Sequence, residues 1–261
     1  MNDGIIGLRD WFETPSGAYL LAWEQQQYDQ RVADIFGYHA LQLGLPALQA
    51  LAASRMSHRW LATTPEASGC APVLRVDYAA LPFPEASLDL VALPHALDSH
   101  ANPHGTLREV ARVLVPGGRV VLSGFNPASL WGLRQRRERL CRRLGLGAPL
   151  LPEGLDFIGY RRLRDWLHLL DFEIEVSHYG GYRPLLRSEK WLQRWRWMDG
   201  AGARWWPFFG AAYFLVAVKR VHGVRLLGAA WKKANGKAAA TVPLAQRNGD
   251  NHVRFDKGNN E

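Results

Sequence analysis

Short apolar runs alternate along the first half of the chain with stretches whose apolar positions recur every three or four residues. Thr14-Pro15-Ser16 has the residue types of a helix start, a capping hydroxyl followed by a proline at the first turn. Behind it Tyr19, Leu20, Trp23, Val32, Ile35 and Phe36 keep helical spacing as far as Gly37. Strands are predicted at Ala40 to Gly44, Arg59 to Thr63, Val73 to Val76, Leu88 to Leu93 and Arg119 to Ser123. Between them, Leu48 to Ala53 reads as a short helix, Thr106 to Leu114 as an amphipathic one, and Pro116-Gly117-Gly118 as a turn. The strand runs lack polar alternation, as strands buried on both faces do. Their alternation with helices implies a parallel sheet.

The second half is built differently. Arg134 to Arg143 holds six arginines on a predicted helix, Leu163 to Leu170 reads as helix, and Phe172 to Ser177 and Ala212 to Val218 as strands. Between them runs a basic stretch from Lys190 to Trp206, rich in tryptophan. From about residue 230 the chain turns rich in Lys, Ala, Asn and Gly without periodicity, which is the pattern of a disordered tail. The expected organisation is one domain over residues 1–229, with a helical cap at 14–37, a sheet core at 38–222 and an arginine-rich insert at 130–158, followed by a tail at 230–261.

Composition narrows the partners rather than the fold. Apolar residues make up 48% of the 261 and charged residues 21%, so a core of ordinary size is available. The net charge of +8 favours anionic partners without choosing among nucleic acid, lipid headgroups and acidic metabolites. Cys70 and Cys141 are far apart and form no CxxC pair, which argues against a zinc–thiolate site. The first residues, MNDGIIGLRDWFE, carry acids and no apolar segment of signal-peptide type, and the run from Trp205 to Val218 is too short to span a bilayer. A reducing, cytoplasmic setting is expected.

The stretch VLRVDYAALPFPEASLDLVALPHALDSHANPHGTLREVARVLVPGGRVVLS, from Val73 to Ser123, carries four landmarks in a fixed order. They are Asp77 with Leu81-Pro82-Phe83-Pro84, the run Leu88-Asp89-Leu90-Val91, the helix Arg108 to Leu114, and Pro116-Gly117-Gly118. In order and spacing they resemble the methyltransferase type 11 family of class I S-adenosylmethionine-dependent methyltransferases. The resemblance implies an α/β fold: a Rossmann-like, seven-stranded, mostly parallel sheet with helices on both faces. It also implies S-adenosyl-L-methionine as cofactor, bound at the carboxyl ends of the strands, where open parallel sheets hold their ligands. Asp77, just past a strand end, takes the position of the acid that accepts from the adenine amine. Tyr78 and Pro94 fall beside the cofactor on the same grounds. His95, after the fourth strand, falls where a general base on the acceptor would stand.

The first two strand ends depart from the family pattern. A GxGxG loop is replaced by Gly44-Leu45-Pro46-Ala47-Leu48, which keeps the first glycine only. Gln42 stands where a carboxylate is usual, and Leu61-Ala62-Thr63-Thr64 offers no acid at the second strand end. Gln42 and Thr63 are then the neutral candidates for the ribose hydroxyls, and Gly44 for close backbone approach. The degenerate loop keeps an alternative open, a methyltransferase-like binding protein without catalysis. A nicotinamide enzyme would need GxGxxG and a second-strand acid, and has neither.

His95, Asp98, His100 and His104 cluster in sequence, but they flank a strand end and a proline-containing loop and lack the spacing of a metal site. No dedicated nucleic-acid module is legible, which points to a small-molecule substrate. The arginine segment would suit an anionic one. The stretch holding Trp191, Arg194, Trp195, Arg196, Trp197, Arg204, Trp205 and Trp206 interleaves rings with cations, a pattern shared by single-strand nucleic-acid surfaces, peripheral membrane contacts and simple core lids.

Overall fold

The computed structural model describes residues 3–64, 74–143, 151, 155–186 and 188–220, with side chains from residue 7 and, in the helix that ends the second segment, as far as residue 138. The expected tail at 230–261, Cys70, and the side chains of Arg139, Arg142 and Arg143 lie outside the described residues. Two helices lead the chain, α1 (Asp3–Phe12) and α2 (Pro15–Val32). Then come β1 (His39–Leu43), β2 (His58–Thr63), β3 (Leu74–Arg75), β4 (Leu88–Pro94), α3 (Ala96–Ser99), α4 (Pro103–Val113) and β5 (Leu114–Phe125). The remainder is α5 (Leu130–Arg143), α6 (Tyr160–Leu169), β6 (Phe172–Gly180), α7 (Glu189–Arg194), α8 (Trp197–Trp205), a 3-10 turn (Pro207–Phe209) and β7 (Ala212–Lys219).

The seven strands form one sheet in the order β3-β2-β1-β4-β5-β7-β6. β1, β2, β3, β4 and β5 are mutually parallel, and β7 pairs antiparallel with both β5 and β6. The chain steps outward from β1 to β2 and β3, then returns to the other side of β1 with β4. That reversal is the switch point at which a crevice opens past the strand ends.

Alternation along the strands sends residues to two cores. Leu90, Ala92, Val121 and Phe214 pack with α1 and α2, whereas Val91, Leu93, Val120 and Leu215 pack with α4 and α6. Burial on both faces is what the unbroken apolar runs predict. β6, at the edge, alternates between buried and exposed instead.

Thr14 caps α2 as expected, accepting from Gly17 N at 3.2 Å, with Pro15 in the first turn. The helix ends at Val32 rather than at Gly37. Its buried face is Ser16, Leu20, Glu24, Tyr28 and Val32, one residue every fourth. Two other expectations change. Residues 48–53 form a bend followed by a turn at 50–53, not a helix. Pro116-Gly117-Gly118 is a bulge inside β5: the register passes from Leu88 opposite Leu114 to Leu90 opposite Arg119, and Gly117 adopts φ +81°.

Candidate active site

The carboxyl ends of the parallel strands meet at β1 and β4. Gly44 follows β1 with φ +105°, a conformation that disfavours any side chain, and its N–H donates to Ala62 O at 3.0 Å. A Cβ there would lie 2.9 Å from Pro94 O and 3.2 Å from Ala96 Cβ. Gly44 therefore lets the ends of β1 and β4 approach closely, and Pro94 forms the opposite wall.

Three residues of neighbouring strand ends converge beside it. Tyr78 is fully buried, with its ring 5.4 Å from that of His100. Its hydroxyl approaches the backbone of Thr64 and Gly44 yet makes no hydrogen bond of good geometry. Burial pushes the phenol well above its ordinary value, so it remains a proton donor. Thr64 Oγ1 is also buried without a partner among the described residues. Thr63, one residue back at the end of β2, is buried too. Asp77 behaves differently: its side chain is 65% exposed, with Oδ1 accepting from Ala79 N at 2.9 Å. The loop that follows is gripped from α4. Glu109 accepts from Leu81 N, and Arg112 donates to Leu81 O and Phe83 O, each at 3.0 Å. This explains why Leu81 to Pro84 and the helix containing Glu109 and Arg112 travel together in the sequence.

Gln42 is not available to a ribose. Its amide nitrogen donates to Leu45 O (3.0 Å) and Leu48 O (2.6 Å), and its oxygen accepts from Ala50 N (3.0 Å). It folds the loop after β1 onto itself while Leu45, Leu48 and Ala50 turn into the core. Pro46 and Ala47 remain at the surface of that loop. They border a cavity of about 220 Å³ whose other walls are Arg9, Phe12 and Glu13 at the end of α1 and Leu21 of α2.

His95 also departs from expectation. It adopts φ +52° and is only 1% exposed. Nε2 lies 2.8 Å from Glu24 Oε1 and Nδ1 lies 3.2 Å from Asp98 Oδ2, which also accepts from Phe125 N at 2.8 Å. Burial by itself opposes charging the ring, but the two carboxylates overcome it and push the histidine up to about 10. Burial raises Asp98 in turn. A protonated ring with both nitrogens committed has no lone pair for an acceptor's proton, so this arrangement does not fit the general base expected of His95. Glu24 Oε2 and Asp98 Oδ1 are buried without partners among the described residues.

The four residues clustered in sequence do not gather on a metal. His95 pairs with Asp98, His100 faces Asp77 and Tyr78, and His104 packs on Trp166. Sequence reasoning missed Glu24 and Thr64. The signal for Glu24 was its place on the every-fourth-residue stripe of α2, a charge among Leu20, Tyr28 and Val32.

Fold and strand-end site define a class, and comparison with known proteins agrees with it. Residues 37–122 match the Methyltransferase domain family. The chain is 32% identical over 165 residues to the uncharacterized protein YafS of Escherichia coli (strain K12), covering 63% of this chain and 65% of that protein. It is 32% identical over 111 residues to the malonyl-[acyl-carrier protein] O-methyltransferase of Brevibacillus brevis, covering 40% and 39% of the two. Each match spans less than two thirds of the relative's length. Among solved structures, a chain from the complex of the Haloferax volcanii Trm112 methyltransferase activator with its candidate methyltransferase superposes with a TM-score of 0.57 at 17% identity, covering 84% of this chain and 99% of that one. A SAM-dependent methyltransferase from Archaeoglobus fulgidus does so with a TM-score of 0.51 at 15% identity, covering 77% and 94%. The match over residues 37–122 is to a methyltransferase domain, and the superpositions agree with its Rossmann-like fold.

The residues fit the family's cofactor unevenly but sufficiently. Two buried hydroxyls with unspent bonding capacity, a close-approach glycine and an exposed carboxylate stand at adjacent strand ends. A buried polar group without a partner carries a cost that a ligand can relieve.

Proposed function

We propose that the protein transfers a methyl group from S-adenosylmethionine to a small-molecule acceptor. The observation that carries this reading is the group formed by Gly44, Thr64, Tyr78 and Asp77 at the switch point of the sheet. On this reading Asp77 accepts from the adenine amine, and the hydroxyls of Thr63, Thr64 and Tyr78 serve the ribose. Gly44 and Pro94 admit the cofactor's midsection. The amino-acid end lies toward the cavity beside Pro46 and Ala47, with Arg9 for its carboxylate and Glu13 for its ammonium. These two replace what the lost glycines would have supplied.

The cofactor supplies an activated methyl group on a neutral leaving group, so the chain's part is to bind, orient and exclude water. Glu24, His95 and Asp98 act in that way as positioning residues, tying α2 across the carboxyl ends of β4 and β5. An anionic acceptor is supported by the exposed Arg136 and Arg137 of α5. A reducing, cytoplasmic setting is supported by the two unpaired-in-sequence cysteines.

Calorimetric titration with S-adenosylmethionine tests the reading. The wild type should give saturable heat, and Asp77→Ala should weaken binding about ten- to hundredfold, the equivalent of roughly 1–3 kcal/mol for an unpaired polar group. Wild-type protein that gives no heat at millimolar cofactor would end the proposal.

A further inference from the structure

The segment from Glu189 to Phe209 buries Leu192 but turns most of its large rings outward. α7 and α8 leave Trp191, Trp195, Trp197 and Trp205 exposed, Trp205 by 72%. Trp206 and the 3-10 turn add more, with Phe208 68% exposed. Isolated apolar residues on a surface are ordinary, but a run of large rings in consecutive elements marks an interaction site.

The charges between the rings have one sign. Lys190, Arg194, Arg196 and Arg204 are exposed, and the Arg194 guanidinium lies 5.8 Å over the Trp191 ring. Of the two acids in the segment, Asp199 is spent: it accepts from Arg183 Nε at 2.9 Å and from the Tyr19 hydroxyl. Glu189 alone opposes the four cations.

Beside the rings an apolar cavity of about 300 Å³ opens between Leu130, Met198, Trp206 and Phe209. Tyr182 also lines it, but its hydroxyl donates to Pro207 O at 2.9 Å. The cavity therefore offers hydrocarbon and ring surface without donors to read a base edge, and it suits an aliphatic chain better than a nucleotide. The surface is anchored to the carboxyl end of β5. Asn126, one residue past β5, donates from Nδ2 to Phe208 O (2.8 Å) and Gly210 O (2.9 Å).

We infer that this surface docks on an anionic lipid bilayer. The indole and phenyl rings of Trp205, Trp206, Phe208 and Phe209 enter the interfacial layer, Arg194, Arg196 and Arg204 meet headgroup phosphates, and a single acyl chain occupies the cavity beside Leu130. Amphipathic rings settle at that depth of a bilayer, and basic residues close to its surface add attraction that salt screens. Docking brings the carboxyl end of β5, held through Asn126, toward the membrane surface. It does not depend on methyl transfer.

The test is co-sedimentation of the full chain with vesicles of phosphatidylcholine alone and of phosphatidylcholine mixed with phosphatidylglycerol. The protein should bind the mixed vesicles and release as salt rises. The triple change Arg194→Gln, Arg196→Gln, Arg204→Gln should lower partitioning on the order of a hundredfold, since each surface cation contributes about fivefold. Trp205→Ser with Phe208→Ser should lower it roughly tenfold or more, with an unchanged melting temperature because both side chains are exposed. Quenching of wild-type tryptophan emission by brominated lipid reads insertion without any variant. Absence of both co-sedimentation and quenching overturns the inference. So does binding to polyuridine, or a dimer broken by the ring substitutions, in a protein that ignores vesicles.

Discussion

Glu24, His95 and Asp98 bring three ionisable groups out of water at once. Removing one partner of such a cluster leaves a buried charge uncompensated, which typically costs about 3–5 kcal/mol. His95→Ala should therefore be strongly destabilising in chemical denaturation, more so than an exposed histidine change such as His104→Ala on α4. The pH dependence has a definite sign. The histidine's folded value, about 10, lies above its ordinary 6.5. Its contribution is whole below pH 6.5 and is lost as pH rises through 10, at up to about 1.4 kcal/mol per unit in that window. Unfolding free energies at pH 6.5, 8 and 10 should fall in the wild type and flatten in His95→Gln. A wild-type curve level over that range would show the ring to be neutral. Asp98 acts in the same sense: burial raises its folded value, so its ionisation also costs the folded state stability as pH rises. Asp98→Asn removes that contribution and leaves the histidine supported by Glu24.

Elements show where the glycine loop went. A family glycine is replaced by Leu48, and Leu48 has become part of the core behind a loop closed by Gln42. Restoring glycine there should open a cavity and cost roughly 2–5 kcal/mol, measured as a drop in unfolding free energy. Gly44→Ala should cost about 1–3 kcal/mol from backbone strain, before its clash with Pro94 O is counted. Strands β1, β4, β5 and β7 were legible because an interior strand covered on both faces, parallel or antiparallel, reads as an apolar run and needs no partner to announce itself. The helix expected at 48–53 was not there because Leu48, Ala50 and Leu51 owe their apolar character to core burial, which mimics helical spacing over so short a run. α1 went unread although Leu8, Trp11 and Phe12 have helical spacing, since nothing local marks its start. That Asp77, Tyr78 and Gly44 follow strand ends was legible from the strand pattern. The bonding of Gln42 and His95 could not, because their partners come from a loop backbone and from α2, 71 residues from His95 in the second case.

At the scale of the whole molecule, cofactor recognition and fold stability are linked. A ligand that binds only the folded state adds about 2.7 kcal/mol at a hundredfold excess over Kd. A domain of this size gains roughly 2–4 °C of Tm per kcal/mol, so S-adenosylmethionine at that level should raise Tm by about 5–10 °C. Asp77→Ala, if tenfold weaker, should retain about half of that shift at the same concentration. The two ends of the site are separable by choice of ligand. Methylthioadenosine carries the adenosine and the sulfur but no amino acid, whereas S-adenosylhomocysteine carries all three. If Arg9 and Glu13 hold the amino-acid end across the cavity from Pro46 and Ala47, S-adenosylhomocysteine should shift Tm further than methylthioadenosine at equal concentration. Arg9→Ala should bring the two shifts together without altering the smaller one. Equal shifts in the wild type would mean that the closed loop after β1 leaves only the adenosine half recognised. Methyl transfer would then need that loop to open, because the groups that orient the sulfonium would otherwise have nothing to hold.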